Sequence, residues 1–141
     1  MGLPSVDVNY LAVLVVTVVS FVIGMLWYSP VLFGNAWMKA GGISKKDIEK
    51  SKKEGMEKKM LTSFVGSLLM GYILSYFVVY ATATTFVMGM KVGLWLWLGF
   101  VVPVLVGSVL WEGKVVRYYL INISYWLVNI AVMGGILAVW G

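Results

Sequence analysis

The sequence predicts an all-α fold: an antiparallel bundle of four transmembrane helices, with a short charged, amphipathic helix on the cytoplasmic side between spans one and two. Three observations predict it. The 141 residues are 61% hydrophobic and 12% charged, with a mean hydropathy of +0.92, against about 45–50% and about 25% for a soluble domain. The apolar residues fall into four runs, each close to the roughly 20 residues that cross a bilayer as helix. Ten of the eleven Lys and Arg residues sit in, or at the edge of, two of the three links between those runs.

One integral membrane domain covers residues 1–141, with spans at about 9–29, 60–83, 92–111 and 115–140. Span one is entered from Asn9 and stopped by Ser29-Pro30, because proline lacks an N–H and turns the preceding residue away from helix. A signal peptide fits poorly: Asp7 is the one charged side chain among the first nine residues, no basic segment leads the run, and no small-residue cleavage site follows it. Met1-Gly2 lacks the Ser or Thr at the sixth position that myristoylation would need.

Residues 31–59 form the long polar link. Its first part is apolar and aromatic but too short to span, and reads as an interfacial foot or, alternatively, as a re-entrant loop closing one side of a pathway. Its second part carries eight Lys. There Ser44 and Asp47 are spaced as a capping box, starting a helix near Lys45 that Gly55 weakens and that could run on into span two. The later links are short, which forces antiparallel neighbours.

Orientation follows from the basic residues. Lys39, Lys45, Lys46, Lys50, Lys52, Lys53, Lys58 and Lys59 lie in the first link and Lys114 and Arg117 in the third; the second holds only Lys91. The expected protein is therefore a multi-pass protein of the cell membrane, with both termini outside and the Lys-rich loop cytoplasmic. The net charge of +5 is read as a topology signal. Nucleic acid is not an expected partner, because the lysines alternate with Glu and no aromatic platform interleaves them.

In lipid, helices associate through small residues and hydrogen bonds. Ser63, Ser67, Gly71 and Ser75 repeat every four residues on span two and read as a helix-packing interface. Beside them Tyr72 and Tyr76 carry hydroxyls that need partners. Span four presents Tyr118, Asn122, Tyr125 and Asn129 on one helical face. Buried asparagine is costly unless paired, so this face is either an interhelical hydrogen-bonding seam or a polar lining for a small ligand. Gly99, Pro103 and Gly107 on span three predict a bend or a close crossing. Trp95 and Trp97 near one end and Trp111 at the other read as interfacial anchors. Glu112, Lys114 and Arg117 read as an ion-paired cluster near the inner surface.

With no Cys, no His and no carboxylate or cation in the middle of a span, the usual groups for thiol, zinc or proton-coupled chemistry are missing. No metal, no cofactor and no catalytic residue are expected.

The stretch Trp27-Tyr28-Ser29-Pro30-Val31-Leu32-Phe33-Gly34-Asn35-Ala36-Trp37, led by Gly24, resembles the domain-of-unknown-function family 1761 of small prokaryotic integral membrane proteins. The residues carrying the resemblance are Trp27, Tyr28, Pro30, Phe33, Gly34 and Trp37. It implies a four-span layout and brings no activity with it. The reading of the residues themselves is a non-enzymatic binding or assembly module. It associates with itself, as a homodimer or higher homo-oligomer in the lipid bilayer, or with another membrane protein. The alternative is a passive channel or carrier for a small neutral or weakly charged solute, lined by the span-four Tyr/Asn face. A reporter active only in the cytoplasm, fused after Gly141, is expected to stay silent, and its activity would reverse the orientation.

Overall fold

The computed structural model describes residues 6–140, all of whose regular structure is helical. The myristoylation reading at Met1-Gly2 lies outside the described residues.

Four apolar helical paths are long enough to cross a membrane: Tyr10–Trp27 (α1), Met56–Tyr80 (α4), Phe86–Leu110 (α5 to α7) and Val116–Trp140 (α8). Between the first two lie α2 (Gly34–Gly41) and α3 (Lys45–Lys53), so the first link holds two short helices rather than the single one expected. Asn9 caps α1 by accepting the Ala12 N–H at 3.1 Å. Ser44 and Asp47 cap α3 reciprocally, at 3.1 and 2.9 Å. The Ser44 N–H also holds the exposed Asp47 carboxyl below the usual carboxylate range. The helix does not run on into span two. Gly55 adopts φ +70°, a left-handed conformation that favours glycine, and separates α3 from α4.

The link between spans two and three is shorter and earlier than the hydropathy suggests. Thr82 at φ +53° turns the chain out of α4, and Thr85 caps α5 by accepting the Met88 N–H at 3.2 Å. Span three then runs in three segments: α5 (Phe86–Phe100), α6 (Val102–Leu105) and α7 (Gly107–Leu110). Pro103 accounts for the first interruption, since it cannot donate to the carbonyl of Gly99.

Helix α8 is the hub. It packs against α1, α4, α5 and α2, while α4 and α5 touch each other little. Over half of its apolar window is buried (56%), against 6% for span three. The core gathers Ala12, Val13 and Val16 of α1, Leu74 and Val78 of α4, and Ile130, Met133 and Leu137 of α8.

The closest helix crossing is between α5 and α8. A Cβ added to Gly93 would lie 2.7 Å from the Ile130 carbonyl oxygen, and Gly89 and Gly134 would each meet the other's backbone. This is a Gly-x-x-x-Gly approach that the sequence boundaries obscure, because starting span three at 92 leaves Gly89 in a loop. Gly99, by contrast, has open space where its Cβ would be. Of the bend or close crossing expected from Gly99, Pro103 and Gly107, the break in the helix is present, while the close crossing lies ten residues before Gly99, at Gly89. Gly89→Ala is expected to lower stability by at least the roughly 1–3 kcal/mol typical of overpacking, whereas Gly99→Ala is neutral or slightly stabilising; unfolding in mild detergent distinguishes the two.

Candidate functional site

Just after α1 the chain makes a hook. The Phe33 N–H donates to the Trp27 carbonyl and the Gly34 N–H to that of Ser29, both at 2.9 Å. Gly34 starts α2 against this turn, where an added Cβ would come 2.7 Å from the Ser29 backbone. The Trp27 and Phe33 rings are 4.6 Å apart, and Trp37 meets Tyr28 edge-on at 5.3 Å. The segment forms a folded aromatic hook held on the bundle.

Its partner is the polar face of α8. The Tyr28 hydroxyl donates to Asn122 Oδ1 at 2.7 Å, and Trp27 Nε1 donates to the Ile121 carbonyl at 3.2 Å. Tyr125 lies edge-on to Tyr28 at 5.2 Å, and Trp37 stacks on Tyr118 at 6.1 Å. Tyr118 also covers Gly41, where an added Cβ would be 2.8 Å from its ring. Asn129 is fully buried. Its Nδ2 donates to the Tyr125 hydroxyl at 3.4 Å, and its Oδ1 has no partner among the described residues. Two features read separately in the sequence, the aromatic signature and the span-four face, are two sides of one contact.

The small-residue face of span two is divided. Gly71 and Ser75 are buried, Gly71 so closely that an added Cβ would lie 3.1 Å from Val16 of α1. Ser63 and Ser67 instead line an open cleft of about 490 Å³ between α1, α4 and α8, opposite Ser20, Tyr28 and Tyr125. The Ser20 side chain faces the Tyr125 hydroxyl.

A family model described as "Protein of unknown function (DUF1761)" matches residues 11–138. The chain belongs to this family. The matched region takes in the hook, all four spans and the α8 face. No curated protein and no solved structure matches the chain.

Several polar contacts of this family member escape sequence reading. Trp97 lies near the middle of span three, not at its end. It donates from Nε1 to the Ile123 carbonyl at 2.7 Å, so it is an interhelical strut rather than an interfacial anchor. Trp95, two residues earlier, is exposed on the outer surface. Tyr119 donates to the Val102 carbonyl at 2.8 Å, next to the interruption of span three. The signal for these struts is general: an indole or phenol carried inside a span needs an acceptor. Tyr72 and Tyr76 meet that need with each other, their hydroxyls 2.9 Å apart. No ion pair joins Glu112, Lys114 and Arg117; among the described residues the one ion pair is Lys50–Glu54. Lys114 instead donates to the Gly41 carbonyl at 2.9 Å, at the C-terminus of α2 where the helix dipole favours a cation, and lies 5.3 Å from the centre of the Tyr118 ring.

Among the described residues no three His, Cys, Asp or Glu side chains come together. What the arrangement can do is dock aromatic surface and offer hydroxyls to a cleft. Tyr28→Phe is expected to cost about 0.6–1.7 kcal/mol, and Tyr28→Ala more, since it also removes the ring contacts to Trp37 and Tyr125. Adding Asn122→Leu to Tyr28→Phe is expected to recover part of the loss, because the unpaired amide goes with it; a double-mutant cycle by unfolding in detergent checks this.

Proposed function

We propose that this protein is a non-enzymatic binding and assembly module of the membrane, acting as a homo-oligomer, in the simplest case a two-fold dimer. What carries the reading is the state of span three. Only 6% of its apolar window is buried by the rest of the chain, and its helix is interrupted at Pro103, leaving the exposed Gly99 carbonyl without its usual i+4 donor. In hydrocarbon an exposed break in the backbone ladder is unfavourable, and a second copy seated on it removes the lipid from that surface. Two-fold pairing is the commonest closed arrangement for identical chains.

The reading takes the lysine-bearing ends of the spans as cytoplasmic and the ends near Tyr10 and Trp140 as outside, from the basic-residue asymmetry. The competing reading, a passive channel or carrier along the α8 face, is favoured by the unpartnered Oδ1 of Asn129. Against it, Tyr118, Asn122 and Tyr125 of that face are all engaged by the hook.

The chain has no native Cys, so introduced cysteines report cleanly. Leu98→Cys and Val104→Cys are expected to give intermolecular disulfides on oxidation in membranes, and Val22→Cys on α1 is not. Light scattering in detergent is expected to give twice the 15.6 kDa chain mass. A monomer mass at high protein concentration overturns the assembly reading. Labelling of Asn129→Cys by a hydrophilic maleimide overturns it in favour of the conduit.

A further inference from the structure

We propose that the groove between α1 and α4, on the lysine-bearing side, is a binding site for one anionic glycerophospholipid. Three adjoining hollows meet there. The outer one, about 670 Å³, is walled by apolar side chains including Val18, Val22, Leu61 and Phe64. It shares Phe21, Met25 and Met60 with the cleft of about 490 Å³ that holds Ser20, Ser63, Ser67 and Tyr125. That cleft shares Ser63 with a third hollow, formed by Lys58, Lys59 and Thr62. The hydroxyl-bearing cleft thus has an apolar hollow on one flank and an ammonium-bearing hollow on the other.

The spacing fits the same chemistry. At 1.5 Å per helical residue, Lys59, Ser63 and Ser67 are separated by about 6 Å each along α4. A phosphate and the glycerol ester oxygens below it span a similar depth, with the acyl chains continuing toward Met70 and Trp126 at the deep end of the cleft. The hydroxyls are also uncommitted. Thr17, Thr62 and Ser75 each donate to a carbonyl of their own helix, at 2.8, 2.7 and 2.6 Å. Among the described residues no such bond is formed by Ser63 or Ser67. A hydroxyl facing a cleft at bilayer depth without a protein acceptor is suited to an ester carbonyl or glycerol oxygen. At the mouth, Lys59 is held in place by donation to the carbonyl and hydroxyl oxygens of Ser51, at 2.9 and 2.7 Å. Glu57 lines the outer hollow and carries the opposing charge. The two lysines outweigh it, which selects a headgroup of net negative charge.

A second copy of the chain is a poorer occupant. Two-fold pairing through this groove about an axis normal to the membrane would set Lys58 and Lys59 of one copy against the same lysines of the other, and like charges across an interface are unfavourable. The lipid site is thus independent of the span-three contact.

Native mass spectrometry of the full chain, released from detergent with added phosphatidylglycerol or phosphatidylcholine, tests the proposal. One phosphatidylglycerol is expected to remain bound per chain, at least tenfold more tightly than phosphatidylcholine. Lys58→Gln with Lys59→Gln is expected to reduce phosphatidylglycerol retention on the order of tenfold and to erase the preference. Ser63→Ala with Ser67→Ala, which adds no bulk to a folded chain, is expected to weaken both lipids several-fold, and Ser67→Leu to abolish retention by filling the cleft. Equal retention of the two lipids, or retention unchanged in the serine variants while their circular dichroism matches the parent chain, overturns the proposal. So does a switch from dimer to monomer in Ser67→Leu with lipid binding intact, which would assign the groove to a second copy. Failure of the span-three cross-links leaves all of these outcomes readable.

Discussion

A polar group carried into hydrocarbon must find a partner inside the protein, because the solvent offers none. That requirement organises this bundle more than any apolar contact does. Lipid tails are as apolar as leucine, so burying leucine against leucine gives the helices little reason to prefer each other. The hydroxyl of Tyr28, the indoles of Trp27 and Trp97 and the phenol of Tyr119 all donate to α8 or from it, and their acceptors fix which surfaces meet. Helix α8 becomes the hub because it carries the amides and phenols that need company and also offers its own carbonyls to neighbouring rings. Where no group answers, as at Asn129 Oδ1, the interior retains unspent hydrogen-bonding capacity.

Close approach supplies the second organising force. At the α5–α8 crossing, Gly89, Gly93 and Gly134 let two backbones come together where any side chain would hold them apart. Dispersion between surfaces in such contact is available in lipid as well as in water. The result is an uneven molecule. Helices α1, α2, α4 and α5 clasp α8, α5 along its glycine face, while the second half of span three stays at the edge with Tyr119 as a tie.

The architecture was largely legible because bilayer thickness imposes a run length and lysine marks one side. Ser44 and Asp47 announced a helix start with the spacing of a capping box, and that cap is formed. The Tyr118–Asn122–Tyr125–Asn129 face was legible as polar residues at helical spacing, and Pro30 as the end of span one. Their meeting was not legible, since nothing in a one-dimensional pattern says that residue 28 will find residue 122. Helix ends were harder still. Thr82 and Thr85 make the turn between spans two and three, yet the residues around them are apolar enough to hide it, and misplacing that turn concealed Gly89. The division of the serine ladder was also hidden: Gly71 and Ser75 share spacing with Ser63 and Ser67, but only the former are buried, Gly71 against Val16.

The hub position of α8 has a consequence for biogenesis. A ribosome delivers this helix after the other three spans have emerged. Until then the hook has no Asn122 to hold, Trp97 has no carbonyl to bond, and Gly89 has nothing to press against. The contacts that α1, α4 and α5 make with α8 can therefore form only once the fourth span is present. A nascent chain stalled before residue 116 would present an unfinished polar surface to the quality-control machinery of the membrane, and a completed one would withdraw it.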